Sequence, residues 1–207
     1  MTTAQDRRTR RMERRREGIL AAAAQVFAAK GYHNATTREI AEAADLAEGT
    51  IFNYFPTKHD LLVAVFERGA DRMREMVLQL DPAVPARPAL TDLVGAVLGF
   101  YVDHRLYIRA ILAEAWTDPD LMREHALPRL QRIAGALQRY FQVQIAAGRL
   151  RPFDTGLVVR LILGMMAALV LPIVRGAEPL PTAEERRRLA ESVVELVLQG
   201  IGQPEEA

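Results

Sequence analysis

The chain has 207 residues, with Lys+Arg 27 against Asp+Glu 26, half its residues hydrophobic, 6% aromatic, four histidines and no cysteine. That balance excludes a disordered polymer and a chain built for the bilayer, and the length suits one or two domains with buried cores. Zero cysteine excludes disulfides, thiolate nucleophiles, iron–sulfur clusters and the common zinc sites, so a reducing cytoplasm is the expected compartment.

The charge is unevenly spread. Residues 1–16 hold seven arginines (Arg7, Arg8, Arg10, Arg11, Arg14, Arg15, Arg16) against Asp6 and Glu13, a net of +5. This stretch reads as a flexible Arg-rich arm over 1–16, whose contact with DNA is open, since arginine outnumbers lysine throughout the chain. No apolar stretch of signal-peptide type precedes Ile19, and Asp6, Glu13 and Glu17 argue against a transit peptide. The longest uncharged apolar run, Leu161 to Val174, is shorter than the roughly 20 residues a span needs. It reads as a buried helix, and no membrane partner is expected.

Helical periodicity dominates and no run alternates as a half-buried strand does, which predicts an all-α fold. Ile19, Ala23, Val26, Phe27 and Lys30 mark the first helix, with Gly31 where a left-handed cap belongs. Thr36-Thr37-Arg38-Glu39 is a capping box that starts a second, short helix at Thr37 carrying Ile40, Ala41 and Ala44 inward. Asp45 and Leu46 interrupt it, and Asp45 tolerates left-handed geometry better than most residues. A third helix spans Glu48 to Tyr54. Pro56 to Asp60 then closes it, with Thr57 and Asp60 capping a long fourth helix that reaches about Leu80. Three prolines in 81–88 predict a loop. Further helices are expected at about 89–103, 105–116, 119–147 with a break or kink near Pro128, 154–175 and 183–201.

Two short helices joined by a tight turn and packed on a preceding helix form the pattern of a helix-turn-helix. Ala41 and Ala44 allow close helix approach, Leu46 plugs the turn and Ile51 anchors the second helix. The stretch from Gly31 to Leu62, with its linked elements Phe-x-x-x-Gly-Tyr, Thr-x-x-x-Ile-Ala, Gly-Thr-x-Phe-x-Tyr-Phe and Lys-x-x-Leu-Leu, closely resembles the TetR family of bacterial transcriptional regulators over roughly residues 15–64. The resemblance implies an N-terminal three-helix DNA-binding domain (17–62), joined by the long fourth helix to a helical effector-binding and dimerisation domain (63–207). Three positions depart from the family's pattern: Asp45 replaces the turn glycine, Ala47 the capping serine and Phe52 the frequent tyrosine.

The residues expected to meet double-stranded DNA are Thr37, Arg38, Gly49, Thr50, Asn53, Tyr54 and Lys58. Thr37 can offer amide and hydroxyl to a phosphate, and Arg38 can extend to a guanine edge. Gly49 admits close backbone approach, Thr50 can offer a methyl to thymine, and Asn53 can address a base or phosphate. Tyr54 and Lys58 look like phosphate anchors. Two alternatives stay open, that Tyr54 simply packs and that Arg38 pairs with Glu42 one turn on. Glu48 faces a polyanion awkwardly and has no assigned role.

One recognition helix reads only a few base pairs, so two copies on a two-fold axis are expected. The resemblance places the homodimer contact on the last two helices, through Leu157, Leu161, Gly164, Met165 and Ala168 on one and Leu189, Val193, Leu196, Val197 and Ile201 on the other. It places an effector pocket within 89–175, where Phe100, Tyr101, His104, Tyr107, Trp116, Met122, Met165 and Met166, with Tyr140 and Phe141, could meet an apolar or aromatic small molecule or else simply pack. Repression is the family's usual mode, with release from a pseudo-palindromic operator by that molecule; activation within the same fold and sequence-indifferent DNA binding are the alternatives. Catalysis is not expected. His104, His125, Asp118, Asp120 and Glu124 lack metal-site or acid–base spacing, no phosphate-binding glycine loop or nucleophile elbow occurs, and no cofactor or metal is implied.

Overall fold

The computed structural model describes residues 4–115, 117–177 and 179–201. Its regular structure is helical: α1 (Ala4–Asn34), α2 (Thr37–Ala43), α3 (Glu48–Phe52), α4 (Lys58–Leu78), α5 (Ala86–Ala115), a π-helical turn (Leu121–Ala126), α6 (Leu127–Ala146), α7 (Thr155–Arg175) and α8 (Ala183–Ile201).

Where a flexible arm was expected, α1 already runs from Ala4, and its residues from Gln5 to Gly18 are exposed. Arginine, glutamine, methionine and glutamate are good helix formers, and nothing before Gly18 interrupts them. Gly31 does break the helix geometry, at φ 75° and ψ 166°, a conformation that glycine alone adopts freely. A Cβ there would touch nothing within 4 Å, so the cost of replacing it is purely in the backbone. Gly31→Ala is therefore expected to lower stability by about 1–3 kcal/mol in denaturant unfolding. Gly18→Ala, on a helical stretch with equally open space, should raise it by about 0.5–1 kcal/mol.

The capping box forms as the sequence predicts. The Thr36 hydroxyl accepts from the Glu39 amide at 3.2 Å, and the Glu39 carboxylate accepts from the Thr36 amide at 3.1 Å. Lys30 donates to the other Glu39 oxygen at 2.5 Å; this bond and those from Thr36 hold the Glu39 carboxyl below its usual range. Asp45 adopts φ 54° in the turn between α2 and α3, the left-handed geometry expected of it. At the head of α4, the Asp60 carboxylate accepts from the Thr57 amide and hydroxyl, and the Thr57 oxygen accepts back from the Asp60 amide.

Two later boundaries differ from expectation. Instead of two helices meeting near residue 104, α5 is continuous, because no glycine or proline occurs between Gly99 and Ala115. It also begins earlier, at Ala86, since Pro88 falls in the first turn where a missing N–H leaves no bond unmade. The irregularity expected near Pro128 is the π turn, which ends just before it, where Pro128 cannot donate to the Glu124 carbonyl.

The described chain forms two compact units. One comprises residues up to Gly69 together with Leu106–His125; the other comprises Ala70–Arg105 and the residues from Ala126 onward. The first unit thus takes in residues beyond the expected boundary at 62/63, and its core shows which contacts join them. Ile19, Leu20, Ala23 and Phe27 of α1, Ile40 and Ala41 of α2, Ile51 and Phe55 around α3, and Leu61, Leu62 and Val65 of α4 are buried together with Ala110, Ile111, Ala115 and Leu121. The later segment thus supplies one side of this core.

In the second unit α6 packs on α7 and α7 on α8. Gln144 is fully buried and satisfied: its amide donates to the Pro82 carbonyl at 3.1 Å and its oxygen accepts from Arg149 at 2.6 Å, which fixes the proline-rich loop. Asp154 caps α7 and Gly176, at φ 69°, ends it. The run that reads as a buried helix is only partly so. Val159, Ile162, Val170, Ile173 and Val174 face inward, whereas Leu157 is 47% and Leu161 58% exposed, with Leu196 of α8 at 67%. By length and composition alone, Thr155–Arg175 is apolar enough to cross a bilayer; its inward residues instead pack within this unit.

Candidate nucleic-acid interface

Five of the seven residues expected at DNA lie on α2 and α3 or at their ends. Thr37 opens α2, within the turn whose amides have no partner inside the helix. Arg38 beside it is exposed. Gly49 and Thr50 lie in α3 and Asn53 caps it, with Gly49 and Asn53 exposed and Thr50 half-buried. A Cβ at Gly49 would meet nothing within 4 Å, so the backbone there is open to approach. Ile51 and Phe55 point the opposite way, into the core.

The carboxylates on this surface are organised. Thr37 donates its hydroxyl to Glu48 at 2.5 Å, which ties the start of α2 to the start of α3. Glu48 therefore has a positioning role that its sequence position alone did not reveal. Arg38 donates through Nε to Glu42 at 3.1 Å, the pairing left open above, and its side chain is still 78% exposed. A pair this exposed contributes about 0.3–0.5 kcal/mol, little enough for a base edge to displace. Ala47 gives α3 no side-chain cap, as its identity foretells. Phe52 is exposed beside these residues, an apolar surface that was not among the expected contacts.

Tyr54 and Lys58, the expected phosphate anchors, both make contacts within the first unit. Tyr54 is half-buried and packs against the core of the first unit. The Lys58 ammonium donates to the carbonyls of Tyr32, His33 and Ala35 at 3.0, 3.3 and 3.0 Å and stands 4.5 Å from the Tyr32 ring centre. All three donors of that ammonium are engaged. Lys58 thus closes the carbonyl end of α1, a role invisible in sequence because its partners lie 23–26 residues away.

Three histidine–carboxylate pairs bind the later segment of this unit to the helices around α2 and α3. His33 meets Glu114 at 3.1 Å, His59 meets Asp118 at 2.8 Å and His125 meets Glu67 at 3.1 Å. The Asp118 carboxyl is held below its usual range, first by the Leu121 amide and then by His59. Asp118 and His125, weighed above as members of an acid–base cluster, thus pair with His59 and Glu67 of α4 rather than with each other.

The expected effector residues divide between the two units. Tyr107 and Met122 pack against the core of the first unit. Phe100, Tyr101 and His104 of α5 and Met165 and Met166 of α7 belong to the second, and Trp116 lies outside the described residues. Phe100 and His104 stack edge to face at 4.6 Å, and the Tyr101 hydroxyl reaches Met73 sulfur at 3.4 Å. Tyr140 and Phe141 are buried core. A groove of about 1050 Å³ opens in this unit between α5 and α8, but its lining is charged, with Arg87, Asp92, Arg186, Arg187, Glu191 and Glu195. None of the expected effector residues lines it.

Residues 19–65 match the model of the bacterial regulatory proteins of the tetR family, and residues 88–200 match that of the AefR-like transcriptional repressor C-terminal domain. The chain belongs to the TetR family. It is a DNA-binding, ligand-responsive transcriptional regulator of that family. The fatty acid metabolism regulator protein of Bacillus subtilis is 25% identical over 196 residues, covering 88% of this chain and 93% of its own. A TetR-family regulator of Mesorhizobium loti shares the fold with a TM-score of 0.80 at 21% identity, over 92% of this chain and 98% of its own. The FadR regulator of Bacillus subtilis, solved in complex with stearoyl-CoA, superposes with a TM-score of 0.69 at 23% identity, over 89% and 98% of the two chains. This TetR-family chain is thus matched over both its head and its second unit.

Proposed function

We propose that this regulator is a cytoplasmic repressor that binds a pseudo-palindromic operator as a homodimer and is released by a small molecule carrying an apolar acyl chain. The observation that carries the DNA reading is the surface on which Thr37, Arg38, Gly49, Thr50 and Asn53 stand clear of the core while Ile51 is buried behind them. A helix presenting such side chains fits a major groove, where arginine pairs bidentately with guanine. The exposed Leu157, Leu161 and Leu196 support a dimer face on α7 and α8, since exposed apolar residues of this size gain most from a self-complementary partner.

The acyl ligand is supported by likeness to a fatty acid metabolism regulator and by the stearoyl-CoA held by a structural neighbour. Phe100, Tyr101, His104, Met165 and Met166 are the residues proposed to meet it. Release follows by linkage: a ligand that prefers the state unable to bind DNA lowers operator affinity by the ratio of its affinities for the two states. No catalytic step enters this reading.

Selection of bound duplexes from a random pool identifies the operator, and acyl-CoA thioesters of increasing chain length are then titrated against the bound complex. On the selected duplex, Arg38→Ala is expected to relax preference at one base pair by about 1–3 kcal/mol in fluorescence anisotropy. Equal losses on selected and scrambled duplexes would remove Arg38 from base reading, and a pool without enrichment would remove the operator.

A further inference from the structure

The α2–α3 surface is poor in free cations. Arg38 stands there with Glu42, Asp45 and Glu48, one positive charge among three negative. Lys30 is paired with Glu39, Lys58 is spent on carbonyls, Arg68 is paired with Glu17 and Arg16 lies over the Phe55 ring. Duplex DNA carries one negative charge per roughly 1.7 Å of its axis, and affinity depends on neutralising several of them. The recognition surface can select a sequence, but it brings little of the charge needed to hold it.

The first fifteen described residues supply that charge in an ordered form. Because they are helical, their arginines have fixed directions, at about 100° per residue. Arg7, Arg8, Arg10, Arg11, Arg14 and Arg15 fall within an arc of about 160°, while Asp6, Glu13 and Glu17 fall together in a strip about 40° wide that borders the Arg10 edge of that arc. Arg7, Arg10, Arg11 and Arg14 line one shallow surface. All six arginines are exposed, and none of them forms an ion pair among the described residues. The Glu17 side is drawn toward α4 by its 3.0 Å pair with Arg68. From Ala4 to Gly18 the helix extends about 21 Å beyond the first core residue, Ile19, at 1.5 Å per residue. Between Arg7 and Arg14 the stripe is about 10 Å long, the axial span of about three phosphates on one strand.

We propose that this arginine face of α1 is a second DNA-contact surface, which grips backbone phosphates outside the bases met by α2 and α3 and supplies affinity without sequence preference. It rests on the reading of the chain as a duplex-binding regulator. The charge segregation is what assigns DNA as occupant: arginine presents a planar fork suited to phosphate oxygens, and a continuous polyanion satisfies a stripe of six better than scattered acidic side chains do.

The test uses the full chain with Arg7→Gln, Arg10→Gln, Arg11→Gln and Arg14→Gln combined, glutamine being chosen because its helix propensity is close to that of arginine. Binding to the selected duplex and to a scrambled one is followed by anisotropy across a salt series. The expected result is an equal loss on both duplexes, at least tenfold, with the slope of log affinity against log salt shallower by about three to four units per bound protomer. A second variant, Asp6→Asn with Glu13→Gln, should bind both duplexes more tightly. An unchanged salt slope in the fourfold variant would overturn the proposal, as would retained duplex binding alongside lost binding to polyglutamate, which would assign the face to an acidic protein. Uniform loss supports the surface even where the wild type ignores sequence, and that indifference would count against the proposed operator instead.

Discussion

Leu161→Arg combined with Leu196→Arg is expected to convert the protein from dimer to monomer in sedimentation and to weaken operator binding by at least 100-fold. Leu161 and Leu196 are the most exposed large apolar residues among those described, so arginine at either position meets water in the monomer and costs the fold little. In a paired face the same guanidinium would be buried without a partner. The operator effect follows from linkage of two reading heads: the second contact becomes intramolecular only while the heads are joined, which contributes on the order of 10²–10⁴ in avidity. A variant that remains dimeric would move the proposed interface elsewhere.

Phe27→Ala is expected to destabilise the first unit by about 3–5 kcal/mol, the range for a large aromatic removed from a closed core. Phe27 has no exposed surface, shares its cluster with Ile40, Ile51 and Leu61, and stacks at 5.7 Å on Tyr32. Denaturant unfolding should show the loss, and duplex binding should fail with it. Sedimentation should still report a dimer, because the proposed dimer residues belong to the second unit. The two variants therefore dissociate what the two units contribute: one abolishes pairing and leaves the head folded, the other disturbs the head and leaves pairing. A dimer lost with Phe27→Ala would contradict that separation.

The head was legible in the sequence because its signals are local. The Thr36–Glu39 box, the left-handed Asp45 and the uncapped Ala47 each act within four residues and appear as read, while Gly31 breaks the helix at positive φ but with extended ψ rather than as a left-handed cap. Boundaries that depend on tertiary burial were less legible. Residues 106–125 carry no local mark of belonging to the head; only the completed core reveals that Ile111 and Leu121 close it. For the same reason no short window decides between the pocket and packing alternatives for Tyr107 and Met122, which pack against that core. The carbonyl contacts of Lys58, expected as a phosphate anchor, are not legible because its partners are fixed by the angle between α1 and α4, which no short window contains. Glu48 gained a role for a similar reason, since its partner Thr37 lies eleven residues away. The arm was read as mobile from its charge, although its composition already favours a helix.

The engagement of both lysines carries a regulatory consequence. Lys30 and Lys58 are the chain's only two, one paired with Glu39 and the other sunk among carbonyls at the end of α1. Acetyl transfer to side-chain amines, a common way to erase positive charge, consequently has no substrate on the arginine stripe or the reading surface. Acylation of either lysine would break contacts within the head, Lys30 with Glu39 and Lys58 with the carbonyls at the end of α1, while leaving the arginine charge of α1 unchanged.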